Sequence, residues 1–252
     1  MKRDALRALF DEWLEPGRFN DAAENGLQVE GKPEISRIVT GVSANRTLIE
    51  RAVALGADAV VVHHGLVWGG GIRRIDGWLK ERIALLLQHG ISLFAYHLPL
   101  DAHKTLGNNA GLAEALGVID DERAPFGRYK GTPIGWSGPL KNAVAFEHFV
   151  AHARLHVGNP LAAFGDLTRP VRTVGVCSGG APELLHEAIS ERLDVYVTGE
   201  VTEWVKSVSE ESGTAFVALG HHRTERFGAM RLASALSSLA IETTFVDVEN
   251  PA

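Results

Sequence analysis

The sequence predicts an α/β fold with mixed, mostly parallel sheets flanked by helices, and hints at two similar α/β domains. Two observations carry the class and a third, an echo short enough to arise by chance, carries the hint. Short β-branched runs alternate with stretches whose apolar residues recur at helical spacing. The strand runs are apolar throughout, as strands covered on both faces are. Residues 56–65 (GADAVVVHHG) and 193–201 (LDVYVTGEV) also echo one another, each running from an Asp through a buried strand to a polar tip.

The elements follow in order. Residues 4–14 place Leu6, Leu9, Phe10, Trp13 and Leu14 on one helical face, closed by Pro16-Gly17. Strands are expected at 38–42, 59–62 and 91–96, and helices at 45–55, 78–88 and 109–116, with Gly56, Gly90 and Gly117 as stops. Residues 122–138 break the alternation with Pro125, Gly127, Gly131, Pro133, Gly135 and Gly138, and read as a domain boundary. Beyond it, helices are expected at 145–153, 182–192, 202–211 and 223–239. Strands are expected at 173–177, 195–198, 215–219 and 243–248. Pro182 suits the first turn of its helix, where a missing amide donor costs nothing.

Composition narrows the class. The chain has 252 residues, and its 25 Lys and Arg against 31 Asp and Glu give a net charge of −6. That balance argues against a nonspecific nucleic-acid binder, although a local basic patch stays open. One cysteine, Cys177, excludes a disulfide framework and any Cys-rich zinc module, and points to a reducing, cytoplasmic setting. No apolar run approaches the ~18 residues of a membrane span, so no membrane partner is expected.

The eleven histidines are clustered. His63-His64-Gly65 ends an apolar strand. Asp101, in His97-Leu98-Pro99-Leu100-Asp101-Ala102-His103, follows the next. His221-His222-Arg223-Thr224-Glu225 follows a third and opens a helix, so His221 and Glu225 share a face if the first turn reaches back to His221. In an open α/β sheet, ligands bind outside the carboxyl ends of the strands. Imidazoles and carboxylates without thiolate suit Zn, Fe, Mn or Co. Five ligands (His63, His64, Asp101, His221 and Glu225) are too many for one open catalytic ion and fit two, with Glu225 bridging. The competing readings are capping histidines, a turn aspartate, and a glutamate stabilising a helix start. His97 is the candidate proton shuttle. His103 and His222 are further candidates, each with a solvent-facing alternative, and Glu200 follows another strand tip. Ser178-Gly179-Gly180 reads as an ordinary strand-to-helix loop, and Cys177 as a small buried apolar residue.

Residues 25–31 (NGLQVEG), 56–65, 97–113 (HLPLDAHKTLGNNAGLA), 197–201 (VTGEV) and 220–228 (GHHRTERFG) together resemble the dinuclear metal centre hexameric protein family. Its members are often labelled GTP cyclohydrolase I type 2 homologues, and the chain is most similar to its short, YbgI-like branch. The resemblance implies two similar α/β domains, the first spanning 1–125 plus 220–252 and carrying the metal ligands, the second spanning 126–219. It implies the same five ligands, two divalent ions per subunit, and a hollow homohexamer with its sites facing inward. Two departures bear on groups around the metals: Ser43 stands where many relatives have an acidic residue, and Trp204 lies near a position where some carry histidine. The activity implied is metal-dependent hydrolysis, by activated water, of a nucleotide or phosphoester-like small molecule. A cyclohydrolase would also need cationic contacts to a triphosphate, and no P-loop or Arg/Lys cluster accompanies these motifs. The alternative is a non-catalytic hexameric metal-binding scaffold or regulator, with nucleic acid in its cavity as a third reading disfavoured by the charge.

Overall fold

A computed structural model describes all 252 residues, which divide into two compact units: Met1–Leu100 with Gly228–Glu249, and Asp101–Phe227 with Asn250–Ala252. Each unit carries one mixed sheet flanked by helices, as the sequence predicts.

In the first unit, α1 (Arg3–Leu14) precedes β1 (Gly26–Val29), β2 (Arg37–Ser43), α2 (Arg46–Ala54), β3 (Ala59–His64), α3 (Gly77–His89) and β4 (Ser92–Ala95). The sheet runs β1-β4-β3-β2 and ends on β11 (Glu242–Phe245). β4, β3, β2 and β11 are parallel, and β1 is antiparallel to β4. Alternate residues of each strand serve opposite faces. Val39, Val60, Val62, Leu93 and Ala95 pack with Leu48, Ile49 and Ala52 of α2 and Leu86 of α3. On the other side, Phe10 of α1 meets Phe94 and Tyr96 at centroid distances of 5.6 and 5.4 Å. Burial of this kind contributes roughly 1.5–3 kcal/mol per large apolar side chain.

Asn45 caps α2 by accepting a hydrogen bond from Leu48 N–H at 2.8 Å. Asn45→Ala is expected to cost about 1 kcal/mol, read as a lower urea midpoint with an unchanged slope.

The second unit contains α5 (Asn108–Ala115), β5 (Ala124–Tyr129), β6 (Thr132–Ala145), α6 (Phe146–His156), β7 (Ala162–Phe164), β8 (Pro170–Val176), α7 (Leu185–Ser190), β9 (Val195–Thr198), α8 (Val205–Ser212), β10 (Ala215–Ala218) and α9 (His221–Thr224). The short α4 (Leu98–Ala102) spans the division between the units, and α10 (Arg226–Ser238) leads back into the first. The second sheet runs β5-β6-β8-β9-β10-β7, with β8, β9 and β10 parallel and the remaining pairs antiparallel. Its core joins Leu112 and Leu116 of α5, Phe146, Phe149 and Ala153 of α6, and Val174, Val176, Val195, Val197 and Val217 of the strands.

Residues 122–138, read from the sequence as a break in the alternation, form β5, a turn and the first half of β6. Two local expectations change. The helix expected over 182–192 begins as a 3₁₀ turn, Pro182–Leu184, before α7. The helix expected over 223–239 is interrupted at Glu225, whose φ of −104° and ψ of 6° separate α9 from α10.

Candidate metal centre

In the first unit the histidines are gathered by parallel pairing. Val62 of β3 lies beside Ala95 of β4, so the strand ends bring His63 and His64 next to His97. One ring nitrogen from each of the three lies within 4.8 Å of the others. The His63 and His64 centroids are 4.5 Å apart at 44°, although successive strand residues start toward opposite faces. His63 is fully buried, and its Nδ1 is 3.1 Å from the Tyr96 carbonyl oxygen. A carbonyl only accepts, so Nδ1 carries the proton and Nε2 is the lone-pair nitrogen of the neutral ring. Metal-binding histidines are commonly oriented this way. His64 Nδ1 lies 3.1 Å from the Ser43 hydroxyl.

His97 is fixed by two residues that sequence reasoning missed. Its backbone N–H donates to Asn25 Oδ1 at 2.7 Å, and its Nδ1 meets Asp21 Oδ1 at 2.8 Å. Asp21 also accepts from Asn25 Nδ2 and from the backbone N–H groups of Ala23 and Leu98. Burial by itself would raise the Asp21 carboxyl, but the hydrogen bonds from His97 and Asn25 and the His97 charge hold it well below the usual carboxylate range. Trp68 stands edge-on to His97 at 5.0 Å, with its indole N–H donating to the Gly65 carbonyl.

The second unit supplies the carboxylates. Asp101 is 5% exposed, and its Oδ1 accepts from Asn108 Nδ2 at 2.9 Å and from the Ser178 hydroxyl at 3.1 Å. Glu225 is 3% exposed, with an oxygen within 4.8 Å of one from Asp101. His221 lies between two acids: Nε2 is 3.0 Å from Glu225 Oε1 and Nδ1 is 2.6 Å from Glu200 Oε1. The predicted i,i+4 pair therefore forms, and Glu200 acquires a specific role as the partner of the second ring nitrogen.

The loop after β8 is not an ordinary connection. Ser178 N–H donates to Asn109 Oδ1 and its hydroxyl to Asp101, while Gly179 N–H donates to Thr224 Oγ1. This loop thus joins Asp101 to the α9 segment. The Asn108-Asn109 dipeptide inside residues 97–113 was its one visible sign. Cys177 is buried, and burial pushes its thiol up, as expected of an inert apolar filler.

Other candidates resolve differently. His103 Nδ1 accepts from the backbone N–H groups of Thr105 and Leu106 and closes a turn. His222 is buried, not solvent-facing, and its backbone N–H donates to the Ala252 carbonyl. Trp204 stacks on His186 at 4.9 Å and 5°.

Burial pushes the His221 imidazole down, but hydrogen bonding and charge from Glu225, and then from Glu200, overrule it and raise it from 6.5 to about 9. The folded value exceeds the unfolded one. This stabilisation is therefore complete below about pH 6.5 and is lost as the pH rises through about 9. Chelator-treated protein is expected to lose thermal stability across that window, and His221→Asn is expected to flatten the loss. A flat profile in the parent protein would show that the imidazolium is not held by these acids.

The fold and these side chains define a class: a two-unit α/β protein with His, Asp and Glu groups that could hold a metal ion. Residues 1–251 match the model of the Duf34/NIF3 (NGG1p interacting factor 3) family, and the chain belongs to that family. A curated relative from Neisseria meningitidis serogroup A, named GTP cyclohydrolase 1 type 2 homolog, is 44% identical over 253 residues, covering 100% of this chain and 99% of its own. The solved structure of protein ybgI, titled as of unknown function, superposes with a TM-score of 0.93 at 39% identity over 100% of both chains. The TTHA1606 protein from Thermus thermophilus gives 0.89 at 32%, again over 100% of both. No helix is long and apolar enough to cross a membrane.

Proposed function

We propose that the chain is a dinuclear metal-dependent hydrolase, with His63, His64, Asp101, His221 and Glu225 holding two divalent ions (Zn, Fe, Mn or Co). The observation that carries this reading is the pair of buried carboxylates, Asp101 and Glu225, within 4.8 Å of each other. Like charges so placed in a low-dielectric setting favour a shared cation. The donor set fits: imidazole nitrogen and carboxylate oxygen without thiolate suit these ions. When bound, such ions acidify water and polarise carbonyl or phosphoryl groups.

The chain's own residues supply orientation and proton handling. The Tyr96 carbonyl and Glu200 orient the His63 and His221 rings, and Asn108 and Ser178 orient Asp101. His97, held through Nδ1 by Asp21, presents its other nitrogen as proton acceptor or donor, the part of a shuttle. The relatives' name supports a nucleotide or phosphoester-like substrate, and the family resemblance supports a cytoplasmic homohexamer.

The test is elemental analysis of anaerobically purified protein, followed by a nucleotide and phosphoester panel with the metal found. About two equivalents per chain and a metal-dependent turnover removed by His97→Ala would support the reading. Two equivalents with no turnover on any substrate would favour the non-catalytic scaffold. A near-zero metal content that Mn, Fe, Co or Zn cannot restore would overturn the centre itself.

A further inference from the structure

The outer face of α6 carries histidines that the candidate centre does not use. His148, His152 and His156 recur every four residues and are exposed, while Phe146, Phe149 and Ala153 take the buried face. Residues four apart on a helix are neighbours. The His152 and His156 ring centroids lie 4.2 Å apart at 37°. His152 Nε2 is 3.0 Å from the Ala115 carbonyl oxygen. Nε2 therefore donates, and Nδ1 is the lone-pair nitrogen of the neutral ring. A backbone carbonyl on the second nitrogen is the arrangement that orients metal-binding imidazoles. Ring proximity and a fixed tautomer are two separate observations, and both point to a ligand.

We propose that His152 and His156 form a surface bis-imidazole site for a borderline divalent cation. Nitrogen ligands of this type favour Cu(II) over Ni(II) and Zn(II). Water fills the remaining coordination positions on this exposed face. The site draws on none of the five candidate ligands of the dinuclear centre, so the two proposals stand or fall separately.

The test uses the full-length protein with whatever metal it already carries, titrated with Cu(II) and followed by calorimetry and electron paramagnetic resonance. One added equivalent with nitrogen hyperfine structure is expected. Its affinity should fall on the order of 100-fold in His156→Ala, because losing one arm of a chelate removes the effective-concentration gain. His156→Gln should behave alike. His148→Ala should retain the equivalent. His152 also bonds the α5 end, so His156 is the cleaner position. An unchanged titration in both His156 variants would overturn the proposal, as would an equal loss in His148→Ala.

Discussion

Glu225→Gln is expected to strip the protein of most of its metal while leaving it folded. The substitution keeps the volume and one hydrogen-bonding oxygen, but removes the charge that faces both Asp101 and His221. Loss of a group that merely orients a ligand costs 10–100-fold in metal affinity, so loss of a proposed ligand carboxylate should exceed about 100-fold. Dialysed variant should therefore hold well under half the parent's metal. A second effect separates this from general damage. Without Glu225 the His221 imidazole loses the acid that raises it most while Glu200 stays, and its value must fall from about 9. Ring proton shifts followed by NMR against pH, on chelated protein, would show the drop. A variant with parental metal content would remove Glu225 from the ligand set.

Gly179→Ala is expected to damage stability and metal binding together. Gly179 has a φ of +70°, and a Cβ there would collide with Glu225 Oε1 and stand 3.2 Å from His221 Nε2. The left-handed backbone alone costs about 1–2 kcal/mol for a residue with a Cβ. Glu225 is buried and its Oε1 also meets His221 Nε2 at 3.0 Å, so yielding disturbs that contact. Gly131, at the β5–β6 turn, is the control: its φ is +87° but nothing lies within 4 Å of an added Cβ. Gly131→Ala should cost the backbone term only, with a Tm drop of roughly 2–4 °C per kcal/mol and unaltered metal. Gly179→Ala should fall further and lose metal as well. Equal behaviour of the two variants would mean that the loop yields without disturbing Glu225.

The sequence by itself determined the α/β class, the order of most elements and the candidate ligands. Apolar β-branched runs and helical spacing are local signals, and histidines ending such runs mark strand tips whatever the sheet order. It left β1, β5, β6 and β7 unread: Gly26 and the prolines and glycines of 125–138 disguise the strand period, β7 has only three residues, and β6 carries Pro139 at the edge of an irregular stretch of pairing with β8. Only the tertiary structure decided which groups hold the candidate site residues. Asp21 reaches His97 across 76 residues, Ser178 reaches Asp101 across 77, and Gly179 reaches Thr224 across 45. Hydrogen bonds of that span follow from strand order and loop path, which a local pattern does not encode. The break at Glu225 was also not legible: residues 223–239 read as one helix, yet Glu225 separates α9 from α10, beside His221 and the 178–180 loop.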